Sequence, residues 1–485
     1  MQKAPDPGKP PPRSIGATRP GPIDTAPPAR YDRVLTPGLE ACMHRYHLLD
    51  DDAVARFIAT GYHLVQPNID AAVLADICTL TRQAAKEGSN PGNAIYDRVP
   101  PLQEVFSHPQ IVGALTSLLG PGYRMECHRH LHLTQPGSVM GGFHQDGTPR
   151  AFKGWNRPWR RWHRPRKVIA VFFPHAVPLA MGPTSLIPGS HYYDRRPDGL
   201  EKLEMPLTSP AGTLALAHHA IWHRARANGS DQERIMLKFI FNRATEPHQS
   251  HWQHKADFTP DFGALSQGPL QRLPRAWSHT WDWLSGISDS SAAAEEGPWR
   301  ELLADLDADD EATAIEAAYR LGTHMDPSLA DLLCTHLTEP EYRETAARAL
   351  STGGPTAATA LARVLDQQDP WSRATAADLL GDLGHDGLVA LPQITQALDD
   401  PDPWVRHNAV QTLEIWGQGA LPTEDRLIQA LGDEHPFVRF NAISALVNLR
   451  PQSQHYLPLL KQLADRDTGM QQWKAADTVR QLQYA

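Results

Sequence analysis

The chain has 485 residues, 41% of them hydrophobic, and a formal net charge of -9. That length exceeds one ordinary core and predicts two or more domains, while the acidic balance argues against global steering toward nucleic acid or an anionic membrane. The four cysteines, Cys42, Cys78, Cys127 and Cys334, form no CxxC pair, so a disulfide framework or structural zinc site is not expected and a reducing cytoplasm fits.

The chain opens without an apolar signal core, and no apolar run reaches the roughly 18 residues of a membrane span. Residues 1–32 are dense in proline and glycine with few large apolar groups, which predicts a disordered or extended tail. A first domain is expected over residues 33–288. After Leu49, DDDAVARFIATG has acidic residues at a helix start and Gly61 at its end. Tyr62–Gln66 suggests a short strand, and IDAAVLADICTLTRQAAKEG a second helix. LQEVFSHPQIVGALTSLLG gives a short helix and then another, closed by Gly120, and Tyr123–Thr134 suggests a strand ending at a PGS turn. KVIAVFFPHAVP, TSLIPGSHYY, GTLALAHHA and RIMLKFIFNR are short extended runs separated by turn residues, as in an all-β core. RAWSHTWDWLSG is expected to pack the end of this domain, with a linker over 289–300.

From residue 301 to 485 the pattern changes to helices rich in alanine and leucine. Pro370, Pro403 and Pro436 recur at a spacing of 33, followed in phase by Trp371, Trp404 and Phe437, by Arg373, Arg406 and Arg439, and by Leu380, Leu413 and Leu446. A proline at the first helical position removes an N–H that would have no partner there. The period resembles HEAT-like helical repeats, and five or six units would bury the faces that one helical pair leaves exposed.

The chemistry centres on GGFHQDGTPR. His144 and Asp146 are separated by one position, so a strand would present both on one face. His223 in AIWHRARANGS would complete a two-histidine, one-carboxylate set, which leaves positions open for co-substrate and dioxygen and favours Fe(II). An HxD pair alone is weak evidence in a chain with 24 histidines, and a loop hydrogen bond is its ordinary alternative. His218 and His219 are alternative ligand candidates. Arg234, eleven residues after His223, lies in the otherwise largely apolar RIMLKFIF and needs an anionic partner if buried.

The order of these pieces, together with MGPTSLIPGSH and IWHRARANGSDQER, resembles the phytanoyl-CoA dioxygenase family of Fe(II)- and 2-oxoglutarate-dependent oxygenases over residues 45–285. The resemblance implies a double-stranded β-helix (jelly-roll) core with flanking helices ahead of the all-α solenoid. It also implies His144, Asp146 and His223 as iron ligands and Arg234 as the partner of the distal 2-oxoglutarate carboxylate. Thr184 is a candidate contact to 2-oxoglutarate or substrate. Two departures stand out. Ala225 replaces a frequent family serine. HLTQPGS lacks the family's frequent lysine, so Thr134 or Gln135 would supply a weaker neutral contact. Asn228 fits a turn, and His191 a tight structural loop.

KGWNRPWRRWHRPRK follows the ligands directly. Trp155, Arg157, Trp159, Arg161 and Trp162 would suit the rim of a pocket for an amphipathic or anionic substrate. The competing reading is interdomain packing, with arginines paired to acids of the repeat region. Trp252 and nearby histidines could close the pocket or form a surface loop. The expected function is hydroxylation of a small or medium-sized organic metabolite, with 2-oxoglutarate and dioxygen as co-substrates. Asp146 favours hydroxylation over halogenation, because it fills the carboxylate position. The alternatives are a hydroxylase whose protein or carrier-bound substrate is recruited by the repeats, and a non-catalytic scaffold; the repeats could also mediate a homo-oligomer. No nucleic-acid partner and no membrane insertion are expected.

Overall fold

The computed structural model describes residues 46–484, apart from 88–91, 147–162, 195–198, 266–272, 288–298, 340–341 and 450–453. The N-terminal tail, residues 289–298 of the linker, and Trp155, Arg157, Trp159, Arg161 and Trp162 lie outside the described residues.

Five helices precede or flank the first strands: α1 (Asp51–Thr60), α2 (Ala71–Lys86), α3 (Ile95–Arg98), α4 (Leu102–Ser107) and α5 (Pro109–Leu119). Asp50 caps α1 by accepting from Ala53 N, and Gly61 ends it at φ 77°, a conformation that costs glycine little. The strands are β1 (Tyr62–Val65), β2 (Arg124–Met125), β3 (His130–Thr134), β4 (Lys167–Phe173), β5 (Thr184–Leu186), β6 (Met205–Pro206), β7 (Thr213–His218), β8 (His223–Ala225) and β9 (Arg234–Asn242).

They form a six-stranded sheet in the order β1-β7-β4-β9-β2, with β3 also on β9, and a three-stranded sheet in the order β6-β5-β8. All of the pairings are antiparallel. Period-2 alternation divides the large sheet into two faces. Val168, Ala170, Phe172, Leu214, Leu216, Leu237 and Phe239 pack against Ile77, Leu102, Val105 and Leu115 of the helices. On the other face, Ile169, Val171, Phe173, Ala215, Ala217 and Met236 pack with Leu186 of the small sheet and with Val177, Met181 and Ile221. The chain thus places two antiparallel sheets around an interior, as the jelly-roll expectation required.

Two local expectations are corrected. Tyr123–Thr134 is not one strand, because pairing along β9 breaks between Met125 and His130. HQD is not a strand either. His144 makes one isolated bridge to His223, and Asp146 lies in a turn. A strand needs a continuing ladder, and here the His144–His223 exchange, at 3.0 Å each way, is joined by a single bond from Gly141 N to Ala225 O at 2.9 Å.

Helix α6 (Pro274–Leu284) closes the first region with Trp277, Trp281 and Trp283 buried. The helices that follow are α7 (Trp299–Leu306), α8 (Glu311–Thr323), α9 (Pro327–His336), α10 (Arg343–Leu350), α11 (Gly354–Val364), α12 (Pro370–Asp382), α13 (Leu391–Gln396), α14 (Pro403–Trp416), α15 (Glu424–Ala430), α16 (Pro436–Leu449), α17 (Leu457–Arg466) and α18 (Met470–Tyr484). Pro370, Pro403 and Pro436 open α12, α14 and α16, and the in-phase Leu380, Leu413 and Leu446 are fully buried. Asp369 and Asp402 cap α12 and α14. Among the described residues, no helix is long and apolar enough to cross a membrane, and Cys78, Cys127 and Cys334 are free thiols.

Candidate metal and co-substrate site

One ligand atom each from His144, Asp146 and His223 lies within 4.8 Å of the others. His144 Nε2 is 4.0 Å from Asp146 Oδ1. The bridge between His144 and His223 sets this spacing, and the two imidazole centroids are 4.3 Å apart. Each ring also meets a carbonyl through Nδ1: Gly142 O at 3.2 Å from His144, and Ile221 O at 2.9 Å from His223. A proton on Nδ1 satisfies both carbonyls and leaves each Nε2 lone pair for a cation. Gln145 points the other way and donates to Tyr193 O at 3.1 Å and Ala220 O at 2.6 Å. The alternation expected of a strand therefore survives in the loop, with the buried glutamine as its anchor.

Lys238 joins the site, although sequence reasoning missed it. Its ammonium donates to Asp146 Oδ2 at 2.9 Å. The available signal was spacing: Arg234 and Lys238 are four residues apart in an apolar strand and therefore share a face. Burial pushes the Asp146 carboxyl up, but Lys238, His223 and His219 together hold it well below the ordinary carboxylate range. Burial also lowers His223, partly offset by Asp146. The site therefore favours an ionised carboxylate beside neutral imidazole, the protonation states that bind a metal.

Arg234 is 1% exposed. It donates through Nη1 to Gly182 O and through Nη2 to Thr134 Oγ1, the latter at 2.7 Å. Its Nε is buried without a hydrogen-bond partner, and burial alone lowers the guanidinium to about 10. No carboxylate among the described residues pairs with it. Thr184 Oγ1 is likewise buried without a partner, on β5 opposite Ala225. A buried cation whose Nε has no partner suits a small carboxylate ligand, and Thr184 offers a further unused hydroxyl. The donor set and these orphaned atoms fit Fe(II) with 2-oxoglutarate.

The other candidates are placed differently. Thr134 meets Arg234, whereas Gln135 is exposed and donates to Glu233. His219 feels the charge of Asp146, but burial lowers it to about 3, and it is not in the three-residue cluster. His218 accepts from Ala220 N at 3.2 Å and packs on His191, whose Nε2 meets Ile58 O at 3.2 Å. Asn228 fixes the turn through Thr134 O, Gln232 O and Ser230. Trp252 lies in the core rather than in a surface loop. It is buried, donates to Asp51 at 2.7 Å and packs on Trp281. Arg164 and Arg166, at the end of the Trp/Arg-rich run, donate to the backbone carbonyl of Asp382 in α12.

Residues 47–236 match the family model described as Phytanoyl-CoA dioxygenase (PhyH), and residues 357–423 and 391–476 match that of HEAT repeats. Similar solved structures include the non-heme alpha ketoglutarate dependent epimerase SnoN from nogalamycin biosynthesis, at 19% identity over 42% of this chain and 82% of that one, with a TM-score of 0.33. The carbocyclase SnoK from the same biosynthesis is 19% identical over 46% of this chain and 95% of its own, with a TM-score of 0.34. EctD from S. alaskensis is 16% identical over 45% and 84%, also at 0.34. The chain carries a phytanoyl-CoA dioxygenase family domain followed by HEAT repeats.

Proposed function

We propose that the protein is an Fe(II)- and 2-oxoglutarate-dependent dioxygenase that hydroxylates a small or medium-sized organic metabolite. The observation that carries this reading is Arg234, a buried guanidinium with an orphaned Nε and no carboxylate partner among the described residues, on the strand whose Lys238 holds Asp146. His144, Asp146 and His223 would hold the metal from one side and leave other positions open. Lys238 orients Asp146 by binding its second oxygen, so that Oδ1 stays toward His144. Arg234, with Thr134 fixed beside it, would receive the distal carboxylate of 2-oxoglutarate. Bound iron and 2-oxoglutarate supply the oxidising power for hydroxylation by dioxygen, with 2-oxoglutarate leaving as succinate and CO2.

The test is oxygen-dependent succinate formation by the Fe(II)-loaded full chain across a panel of small metabolites, with His144→Ala as control. The reading expects succinate in proportion to a product bearing one added oxygen, and none from the variant. Succinate output indifferent to His144 would sink it. So would an iron-loaded, folded protein that never consumes 2-oxoglutarate.

A further inference from the structure

Strands β2 and β3 run along the outer edge of β9, and after a last bond from Glu126 N to Ile240 O at 2.7 Å their pairing breaks until His130. An interrupted edge strand held on one side is a weak support. Yet β3 turns His130, His132 and Thr134 away from the buried side of Leu131, and Thr134 receives the Arg234 hydrogen bond. The last helix of the repeats covers this break. Lys474 donates to both oxygens of Glu126 at 3.0 and 3.1 Å. Arg129 Nη2 donates to both oxygens of Asp477 at 3.1 and 3.0 Å. Arg480 pairs with Asp97 of α3 at 2.5 Å, and Arg124 donates to Val447 O of α16 at 3.2 Å.

Lys474, Asp477 and Arg480 are three residues apart and share one face of α18. Their charges alternate plus, minus, plus against minus, plus, minus on the oxygenase side, which fixes a single register. The pairs Glu126–Lys474 and Arg129–Asp477 are almost fully buried. Removing one partner would leave a buried charge uncompensated.

We propose that Lys474 and Asp477 are positioning residues for the co-substrate wall, holding β3, and through it Thr134, against Arg234. The surface of α18 is thus occupied by the chain's own oxygenase domain. The inference rests on the 2-oxoglutarate reading for its effect on binding, though not for its effect on β3.

The test uses full-length protein, with Asp477→Asn, Lys474→Gln and the charge swap Arg129→Asp/Asp477→Arg. Fe(II) affinity, 2-oxoglutarate affinity and backbone amide exchange of residues 131–134 are measured. For each single variant we expect 2-oxoglutarate affinity to fall by about tenfold while Fe(II) affinity stays within about twofold, because none of the three ligands lies on β3. Amides of β3 should exchange faster, those of β7 should not, and the swap should recover part of both effects. A lowered melting temperature with unchanged 2-oxoglutarate affinity and unchanged β3 exchange would overturn the proposal. If Asp477→Asn does not fold, Lys474→Gln decides. If the wild type binds no 2-oxoglutarate, the functional reading fails, and β3 exchange alone decides whether α18 holds the strand.

Discussion

Arginines in the repeats and in the oxygenase core meet burial in opposite ways. In the repeats, Arg373 grips Asp400 through Nε and Nη2 at 2.7 and 2.9 Å. Arg406 repeats this with Asp433 at 2.8 and 3.0 Å, and Arg439 reaches Asp467 through Nε at 2.7 Å. Each also donates to carbonyls of the turn before its own helix. The period that aligns the helices thus supplies every such guanidinium with a carboxylate from the next unit. Arg234 has, among the described residues, only a carbonyl and a hydroxyl. Arg243 also lacks a carboxylate among the described residues, but it has the Leu118 carbonyl at 3.0 Å and lies 5.0 Å over the Trp283 ring. Buried arginine is therefore structural where the fold provides its counter-charge or a stacking surface. Where the described residues provide neither, as at Arg234, the proposed co-substrate carboxylate would supply the charge.

The largest expected effect lies at the metal. Asp146→Ala removes the only carboxylate of the three-residue cluster and should weaken Fe(II) binding by more than about a hundredfold, measured by anaerobic metal titration. Arg406→Ala probes the other side of the comparison. It leaves Asp433 unpaired and should destabilise the repeats by about 1–3 kcal/mol, or about 2–4 °C in melting temperature per kcal/mol, with 2-oxoglutarate binding unchanged. A loss of co-substrate affinity in Arg406→Ala would erase the distinction between the two kinds of arginine.

The smallest effect is one of pH. Burial raises the Glu126 carboxyl, but Lys474 and Lys167 lower it further, so that it ends below its ordinary value of 4.5. A carboxyl depressed in the folded state adds stability above its unfolded pKa and loses it as pH falls through the folded one. The melting-temperature advantage of wild type over Glu126→Gln should hold above about pH 5 and shrink below the ordinary carboxylate value. An advantage that grows in acid would contradict the pairing.

Much of this was legible in the sequence, because the signals were local. The proline, arginine and leucine phases of the repeats each map onto one helical position, and Arg234 stood out as a charge in an apolar strand. Lys238 carried the same signal and was passed over. HQD resembled a strand because its alternation is real, yet only one bridge forms beside it. The α18 contacts had no local signature, since Glu126 and Lys474, like Arg129 and Asp477, are 348 residues apart. Nothing in either segment marks the other as its partner until the repeats have curved back onto the oxygenase domain.

The most direct test of the account is an anaerobic absorption titration of metal-free protein with Fe(II) and then 2-oxoglutarate, comparing wild type with Arg234→Ala. The account predicts a charge-transfer band that requires both additions in the wild type. In Arg234→Ala, Fe(II) should still bind, and 2-oxoglutarate should bind about thirtyfold or more weakly, as expected for loss of a buried charge partner. An iron-loaded, folded wild type with no band, or an Arg234→Ala variant that binds 2-oxoglutarate as tightly as wild type, would contradict it.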